Sequence, residues 1–529
     1  MQALQTPEPQ RFRLRSPRIA AYLPPAPQSV EDTGLPVPLL RDLVLRRLFV
    51  SGQISALDLS RSLHLPYTGV IDRIVDGLLK DKLAEFTGGP GFGRPYFDYL
   101  LTRRGRERAE EAFERCTYVG PAPVPLHLYT SVMRKQTRET PRVGRAELER
   151  AFHDLVLEEH FMDRLGPAVN SVRSMFLYGP PGNGKTSIAE RIANILQGEV
   201  FVPYAIEVDS QIIQVYDPLV HEKLEPLPPM LPDYQTNGGE EQDPEGQDEE
   251  RRFPDLGELP DVEEGATAEY AMPTLTFFGD EDTEGKAGTV VFIDDYDARW
   301  VLTYRPRVIV GGELTLENLD LTYNEGRYYE APYQVKACGG MLLIDDFGRQ
   351  KVDPTDLLNR WIVPLEKKVD YLTIRTGKKF EVPFDLLIVF STNIDPAQLV
   401  DEAFLRRIRY KIEVKDPTEP IFRNIFRREA EAQSVRYDPT MVDYVLDKYY
   451  RRTGRAMRGC HPRDILQLVV DQAQFLNCEP EMNRKLLDEA CESYFVHMEG
   501  DEAQARGGEN KGGASGGSEG LQVESLLHP

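Results

Sequence analysis

Residues 175–186 read Met175-Phe176-Leu177-Tyr178-Gly179-Pro180-Pro181-Gly182-Asn183-Gly184-Lys185-Thr186. An apolar run of strand length enters a turn rich in glycine and proline. Ser187 and an amphipathic stretch follow, with Ile188, Ile192, Ile195 and Leu196 on one helical face. Strand, loop and helix in this order fit GxxxxGK[ST] with no departure. Each part has a physical reason. Glycines let backbone N–H groups wrap an anion without a Cβ clash. The helix N-terminus adds partial positive charge. Lys185 is placed to reach the outer phosphates of a nucleotide, and Thr186 to hold Mg2+. Gly179, Pro180, Pro181, Gly182, Asn183, Gly184, Lys185, Thr186 and Ser187 are therefore the candidate phosphate-binding residues.

A loop of this kind works with an acid at the end of a buried strand, which organises the metal. Two stretches qualify: Val290-Val291-Phe292-Ile293-Asp294-Asp295 and Met341-Leu342-Leu343-Ile344-Asp345-Asp346. Spacing separates them. A third apolar strand, Leu386 to Phe390, ends in Ser391-Thr392-Asn393, where a polar side chain is suited to position water. Asp345 precedes Asn393 by 48 residues, room for one crossover through a helix around Pro354 to Leu365. Asp294 precedes it by 99 residues. The expectation is Asp345 in the Mg2+ shell, Asp346 polarising water, and Asp294 and Asp295 at a hairpin edge.

Gly-Pro-Pro-Gly-Asn-Gly-Lys-Thr, then Ile-Asp-Asp, then Ser-Thr-Asn, in this order and spacing, resembles an AAA+ ATPase. Ala337-Cys338-Gly339-Gly340 before the acidic strand is similar to an element of the MoxR-like ATPases and of the AAA+ module of bacterial enhancer-binding activators. The resemblance covers about 140–498 without an inserted segment. It implies an α/β core of parallel strands and helices with a C-terminal helical lid, ATP rather than GTP, and hydrolysis with Mg2+. It also implies that Asn393 is the polar sensor beside the γ-phosphate. Within Asp401 to Ile408, it implies that Arg407, with Arg406 second, reaches a neighbouring subunit's nucleotide in a ring such as a hexamer. Asp346 departs from the family, whose second acid is usually Glu. The hexapeptide Gly-Ala-Phe-Thr-Gly-Ala of the activators is not present.

From about 419 the chain is helical by spacing, with Ile421, Phe422, Ile425 and Phe426 sharing a face. Pro462 is suited to a first helical position. Arg463 beside it opposes the helix dipole unless it meets an anion. A bound nucleotide supplies one, which matches the second sensor of the family; Asp464 is the local alternative. His461 reads as a cap or packing residue.

The 529 residues predict two to four domains. The net charge of −23 argues against broad binding to nucleic acid or anionic membrane. Between Glu240 and Glu264 stand 12 Asp and Glu against Arg251 and Arg252, a local charge of −10. No apolar run approaches a membrane span. Five scattered cysteines without CxxC point to a reducing cytoplasm. Residues 1–36 and 499–529 read as disordered tails, 119–139 as a linker, 140–418 as the ATPase core, 222–288 as a disordered acidic insertion and 419–498 as the lid. The stretches Val208 to Tyr216 and Trp300 to Val310 are expected to form an extended hairpin carrying the insertion.

Residues 37–118 resemble a winged-helix domain. Three helical patterns, the second capped by Ser55 and the third opened by Pro66, precede a Gly-rich turn, the strand-like Tyr96 to Leu101 and a charged helix. From Leu40 to Arg115, 13 Lys and Arg stand against 11 Asp and Glu. The third helix carries Arg73 and Lys80 but also Asp72, Asp76 and Asp81, which would face phosphates. Arg103, Arg104, Arg106 and Arg108 lie behind the wing. Three functions use this machinery: a ring ATPase that remodels or activates a protein partner, an ATP-controlled DNA-binding regulator acting through the winged helix, and a weakly hydrolysing nucleotide-binding scaffold.

Overall fold

Five short runs build a parallel sheet in the computed structural model, which describes residues 10–14, 17–88, 93–139, 142–158, 160–196, 198–226, 275–278, 289–293, 296–400 and 402–496. The order across the sheet is Arg307–Val310, Met341–Ile344, Leu387–Thr392, Met175–Tyr178, Tyr410–Glu413, all parallel. The three middle strands are buried almost throughout, which is why they are apolar runs rather than alternating ones. Helix Lys185–Ile195 follows the first of these in sequence, and helix Pro354–Lys367 lies in the crossover from Met341–Ile344 to Leu387–Thr392. Asp353 caps that second helix, accepting from Thr355 N at 2.8 Å, and Pro354 sits where no N–H is needed. Its Trp361 packs edge-on against Phe384 and Phe390. The architecture is α/β, a parallel sheet flanked by helices.

The expected hairpin between Val208–Tyr216 and Trp300–Val310 does not form. Pro306 lacks an N–H and divides the second stretch. Trp300–Tyr304 pairs antiparallel with Glu199–Pro203, while Arg307–Val310 becomes the edge of the parallel sheet. Gln211–Gln214 lies in another sheet, between Ala205–Val208 and Tyr329–Glu330.

The stretch 119–139 is structured rather than a linker. Val124–Pro125 joins that other sheet, and Leu126–Arg138 is a helix burying Tyr129, Val132, Met133 and Gln136. The buried positions recur at helical spacing, with exposed polar residues between them. Gln136 clamps a neighbouring strand, with Nε2 donating to Phe201 O at 3.2 Å and Oε1 accepting from Phe201 N at 2.7 Å. The described residues among the first 36 are likewise ordered, against the tail expected there. Gln10–Leu14 pairs antiparallel with Thr289–Ile293, and Phe12, Leu14, Ile19 and Leu23 are buried. Those four apolar side chains are scattered among prolines and arginines, which hid them as a pattern. Within the expected insertion, Leu275–Phe278 forms a strand beside Thr289–Ile293. The acidic run from Glu240 to Glu264, Asp294, Asp295 and residues 499–529 lie outside the described residues.

The elements within residues 37–118 have a layout consistent with a winged helix. Helices Val37–Ser51, Ala56–Leu63 and Asp72–Lys80 pack on an antiparallel sheet ordered Gln53–Ser55, Asp98–Leu101, Ala84–Thr87, with Arg103–Arg115 closing it. Leu40, Leu43, Leu59, Leu63, Ile74 and Leu78 are in its core. Ser55 caps the second helix, its hydroxyl accepting from Asp58 N at 3.1 Å. The third helix starts later than Pro66. Gly69 takes φ +81° beside Gln28 O, which would lie 2.1 Å from a Cβ there, so the chain turns before it coils.

Contacts separate a second unit made of His153–Glu158, Pro180–Gly184 and the chain from Val414 onward. Its helices Glu419–Ala432, Pro439–Val445, His461–Phe475 and Arg484–Val496 pack around Phe422, Phe426, Val445, Ile465, Val469 and Leu487. Among the described residues no helix is long and apolar enough to cross a membrane.

Candidate nucleotide-binding site

Parallel strands bring their carboxyl ends to one edge of the sheet, where ligands of such sheets bind. Leu387–Thr392 lies between Met175–Tyr178 and Met341–Ile344, so Asn393 emerges between Gly179 on one side and Asp345 on the other. Lys185, at the start of its helix, donates from Nζ to Gly179 O at 2.9 Å and to Asn393 Oδ1 at 2.6 Å. Thr186 Oγ1 donates to Asp345 Oδ2 at 2.8 Å. Asn393 Nδ2 donates to Asp346 Oδ1 at 3.2 Å. The sheet thus collects Lys185, Thr186, Asp345, Asp346 and Asn393.

The backbone around the acids is also fixed. Asp346 takes φ +49°, in the left-handed region that non-glycine residues enter at a cost. Phe347 N donates to Ser391 O at 2.7 Å and Thr392 Oγ1 donates to Phe347 O at 2.6 Å, which tie the two strand ends together. Strain of this kind persists where its surroundings over-determine it.

Arg407 lies at the opposite edge. It neighbours Ser174, Lys368 and Leu386, where Met175–Tyr178 and Leu387–Thr392 begin, and pairs with Glu366 at 3.5 Å. Arg406 pairs with Glu402 at 2.8 Å and is far more exposed, 76% against 26% for the Arg407 side chain.

In the second unit the loop residues Gly182 and Asn183 are held by the turn before helix His461–Phe475. Cys460 N donates to Gly182 O at 2.8 Å, and Gly459 N donates to Asn183 Oδ1 at 2.9 Å. Asn183 Nδ2 donates to Asp416 Oδ1 at 2.7 Å, and Arg458 pairs with the same carboxylate. Gly182 has φ +80°, and a Cβ there would lie 2.7 Å from Cys460 Sγ, so any side chain at this position is strained. The sequence pattern assigned no role to Asp416 or Gly459, because their partner Asn183 lies 233 and 276 residues away, nor to Arg458, which pairs with Asp416. Arg463 pairs with Asp464 at 3.0 Å, the local alternative left open by the sequence. That pairing raises the Arg463 pKa. His461 is buried, its Nδ1 2.9 Å from Tyr450 OH, and burial pushes its pKa down to about 4.

Comparison with known proteins places this site in context. Residues 175–229 match the ATPase family associated with various cellular activities (AAA), a stretch that begins at the strand and takes in the loop. Residues 418–493, the C-terminal helices, match a domain of unknown function (DUF8689). No curated protein matches the chain. Similar solved structures include the Thermotoga maritima RuvB Holliday junction branch migration motor, at 13% identity over 64% of this chain and 69% of that one, TM-score 0.30. A point mutant of that protein is 12% identical over 64% and 70%, TM-score 0.33. NtrX from Brucella abortus is 14% identical over 78% and 70%, TM-score 0.32. Over residues 175–229 the chain is thus similar to ATPases of the AAA class.

Proposed function

We propose that the chain binds ATP with Mg2+ at Gly179–Ser187, hydrolyses it to ADP and phosphate, and works in a ring of copies to remodel or activate a protein partner. The observation that carries this reading is the connected set of hydrogen bonds from Lys185 through Asn393 to Asp346, beside the Thr186–Asp345 pair. Lys185 binds the outer phosphate oxygens. Asp346 orients the attacking water and accepts its proton, and Asn393 holds Asp346 in register with Lys185.

Thr186 and Asp345 present hard oxygen donors, which suit Mg2+. Mg2+ is commonly held by one or two protein oxygens together with substrate phosphates. When bound, Mg2+ neutralises charge on the phosphates.

Arg407 supports the ring. A strand of four to six residues spans about 13–20 Å, so an arginine at the starting edge of the sheet is remote from Lys185 at its finishing edge. An arginine there serves a neighbouring copy's nucleotide, and Arg406 has the greater exposure for that contact. Arg463 senses the nucleotide from the helix whose preceding turn bonds the phosphate loop. A protein partner suits the winged helix better than duplex DNA, because Asp76 and Asp81 of its third-helix region engage Arg94 and Arg41 and take up their charge.

Equilibrium binding of Mg-ATP to the full chain tests the reading. The wild type is expected to saturate and Lys185→Ala to lose about 100-fold or more in affinity. Equal binding by the two contradicts it.

A further inference from the structure

The phosphate loop is held at Asn183 from both sides of one amide, by the Asp416 carboxylate and by Gly459 N–H. This arrangement carries an electrostatic difficulty. A carboxylate beside a loop that receives a polyphosphate repels it, and the repulsion is strongest where water is excluded. Arg458 donates to the same Asp416 oxygen that accepts from Asn183. The pair is partly shielded, with side chains 26% and 34% exposed.

We propose that Asp416 and Arg458 are positioning residues for nucleotide binding. Asp416 fixes the Asn183 amide and with it the curve of the loop. Arg458 cancels the Asp416 charge, so that the anchor does not repel the phosphates it helps to seat. The inference rests on the nucleotide reading above and adds the control of affinity to it.

A merely structural tie and this electrostatic device differ in sign. With Arg458→Gln, the Asp416 carboxylate is left uncompensated. Adding Asp416→Asn removes the charge while its amide oxygen still accepts from Asn183 Nδ2. A structural tie is damaged further by the second change, whereas the electrostatic device is repaired by it.

The test is calorimetric binding of Mg-ATP and Mg-ADP to the full chain, with thermal melting of each variant alongside. Arg458→Gln is expected to weaken Mg-ATP about tenfold and Mg-ADP less, because ATP carries more charge. The loss is expected to shrink as salt rises. Arg458→Lys and the double variant Arg458→Gln with Asp416→Asn are expected to bind within about threefold of wild type. Wild-type binding by Arg458→Gln, or a double variant that melts like wild type yet binds no better than Arg458→Gln, overturns the inference alone. Absence of Mg-ATP binding by the wild type overturns it together with the nucleotide reading.

Discussion

Asn393 joins Lys185 to Asp346: its Oδ1 accepts from Lys185 Nζ at 2.6 Å while its Nδ2 donates to Asp346 Oδ1 at 3.2 Å. One amide therefore sets the spacing between the Lys185 ammonium and the Asp346 carboxylate. Asn393→Ala is expected to lower kcat about 10²-fold and to leave KM within a few-fold, since the lost interaction serves the reaction more than binding. Steady-state phosphate release checks this. A rise in KM with kcat unchanged assigns Asn393 to binding instead.

Arg406 and Arg407 lie at the edge of the sheet remote from Lys185, so their loss is expected to be felt in the neighbouring copy. Arg406→Ala and Arg407→Ala are each expected to bind Mg-ATP like wild type. At least one is expected to lose about 10³-fold or more in turnover. Mixed with Lys185→Ala chains, that variant is expected to regain part of its rate, because the mixture contains junctions with an intact loop on one side and an intact arginine on the other. A mixture no faster than its parts contradicts action across chains.

The buried pair Asp297–Arg299 makes a stability prediction. Arg299 donates to both Asp297 oxygens, with 2.7 Å from Nη2 to Oδ2, and to Thr33 O and Pro123 O at 2.9 and 3.0 Å. Both side chains are 1% exposed. Asp297→Ala leaves a buried guanidinium charge unpaired and is expected to cost about 3–5 kcal/mol in denaturant unfolding. A loss below about 1 kcal/mol would mean that the site admits water.

Two buried histidines set a pH dependence. Burial pushes the pKa values of His221 and His461 down to about 4 from the ordinary 6.5. Between these values the unfolded chain takes up protons that the folded chain refuses. Stability is therefore complete above about pH 6.5 and falls as pH drops toward 4, each histidine costing on the order of 1–2 kcal/mol at pH 5. The fall between pH 7 and pH 5 is expected to be smaller in His461→Gln, measured by urea unfolding. An unchanged slope contradicts the assignment.

The strand–loop–helix pattern at residues 175–186 was legible because its twelve residues are contiguous and each follows from local chemistry. Spacing also separated the two strands that precede acidic pairs. The strand before Asp345 joins the parallel sheet beside Leu387–Thr392, whereas the strand Thr289–Ile293 pairs antiparallel with Gln10–Leu14 and Leu275–Phe278. What escaped the sequence was long-range. Asp416 meets Asn183 across 233 residues with no local pattern to announce it. Gln136 clamps Phe201 from a helix that read as linker, and Phe12 and Leu14 find their sheet only when the distant Thr289–Ile293 arrives.

The central claim is that this site hydrolyses ATP, and Asp346→Asn tests it most directly. The substitution keeps size and an oxygen that accepts from Asn393, and removes the charge that takes the proton. Phosphate release by the full chain with Mg-ATP is the measurement, with nucleotide binding determined in parallel. The account predicts steady turnover by the wild type, and a variant that binds Mg-ATP within a few-fold of wild type but turns over at least about 100-fold more slowly. Equal turnover by the two, or a wild type that binds Mg-ATP and releases no phosphate at any protein concentration, would contradict it.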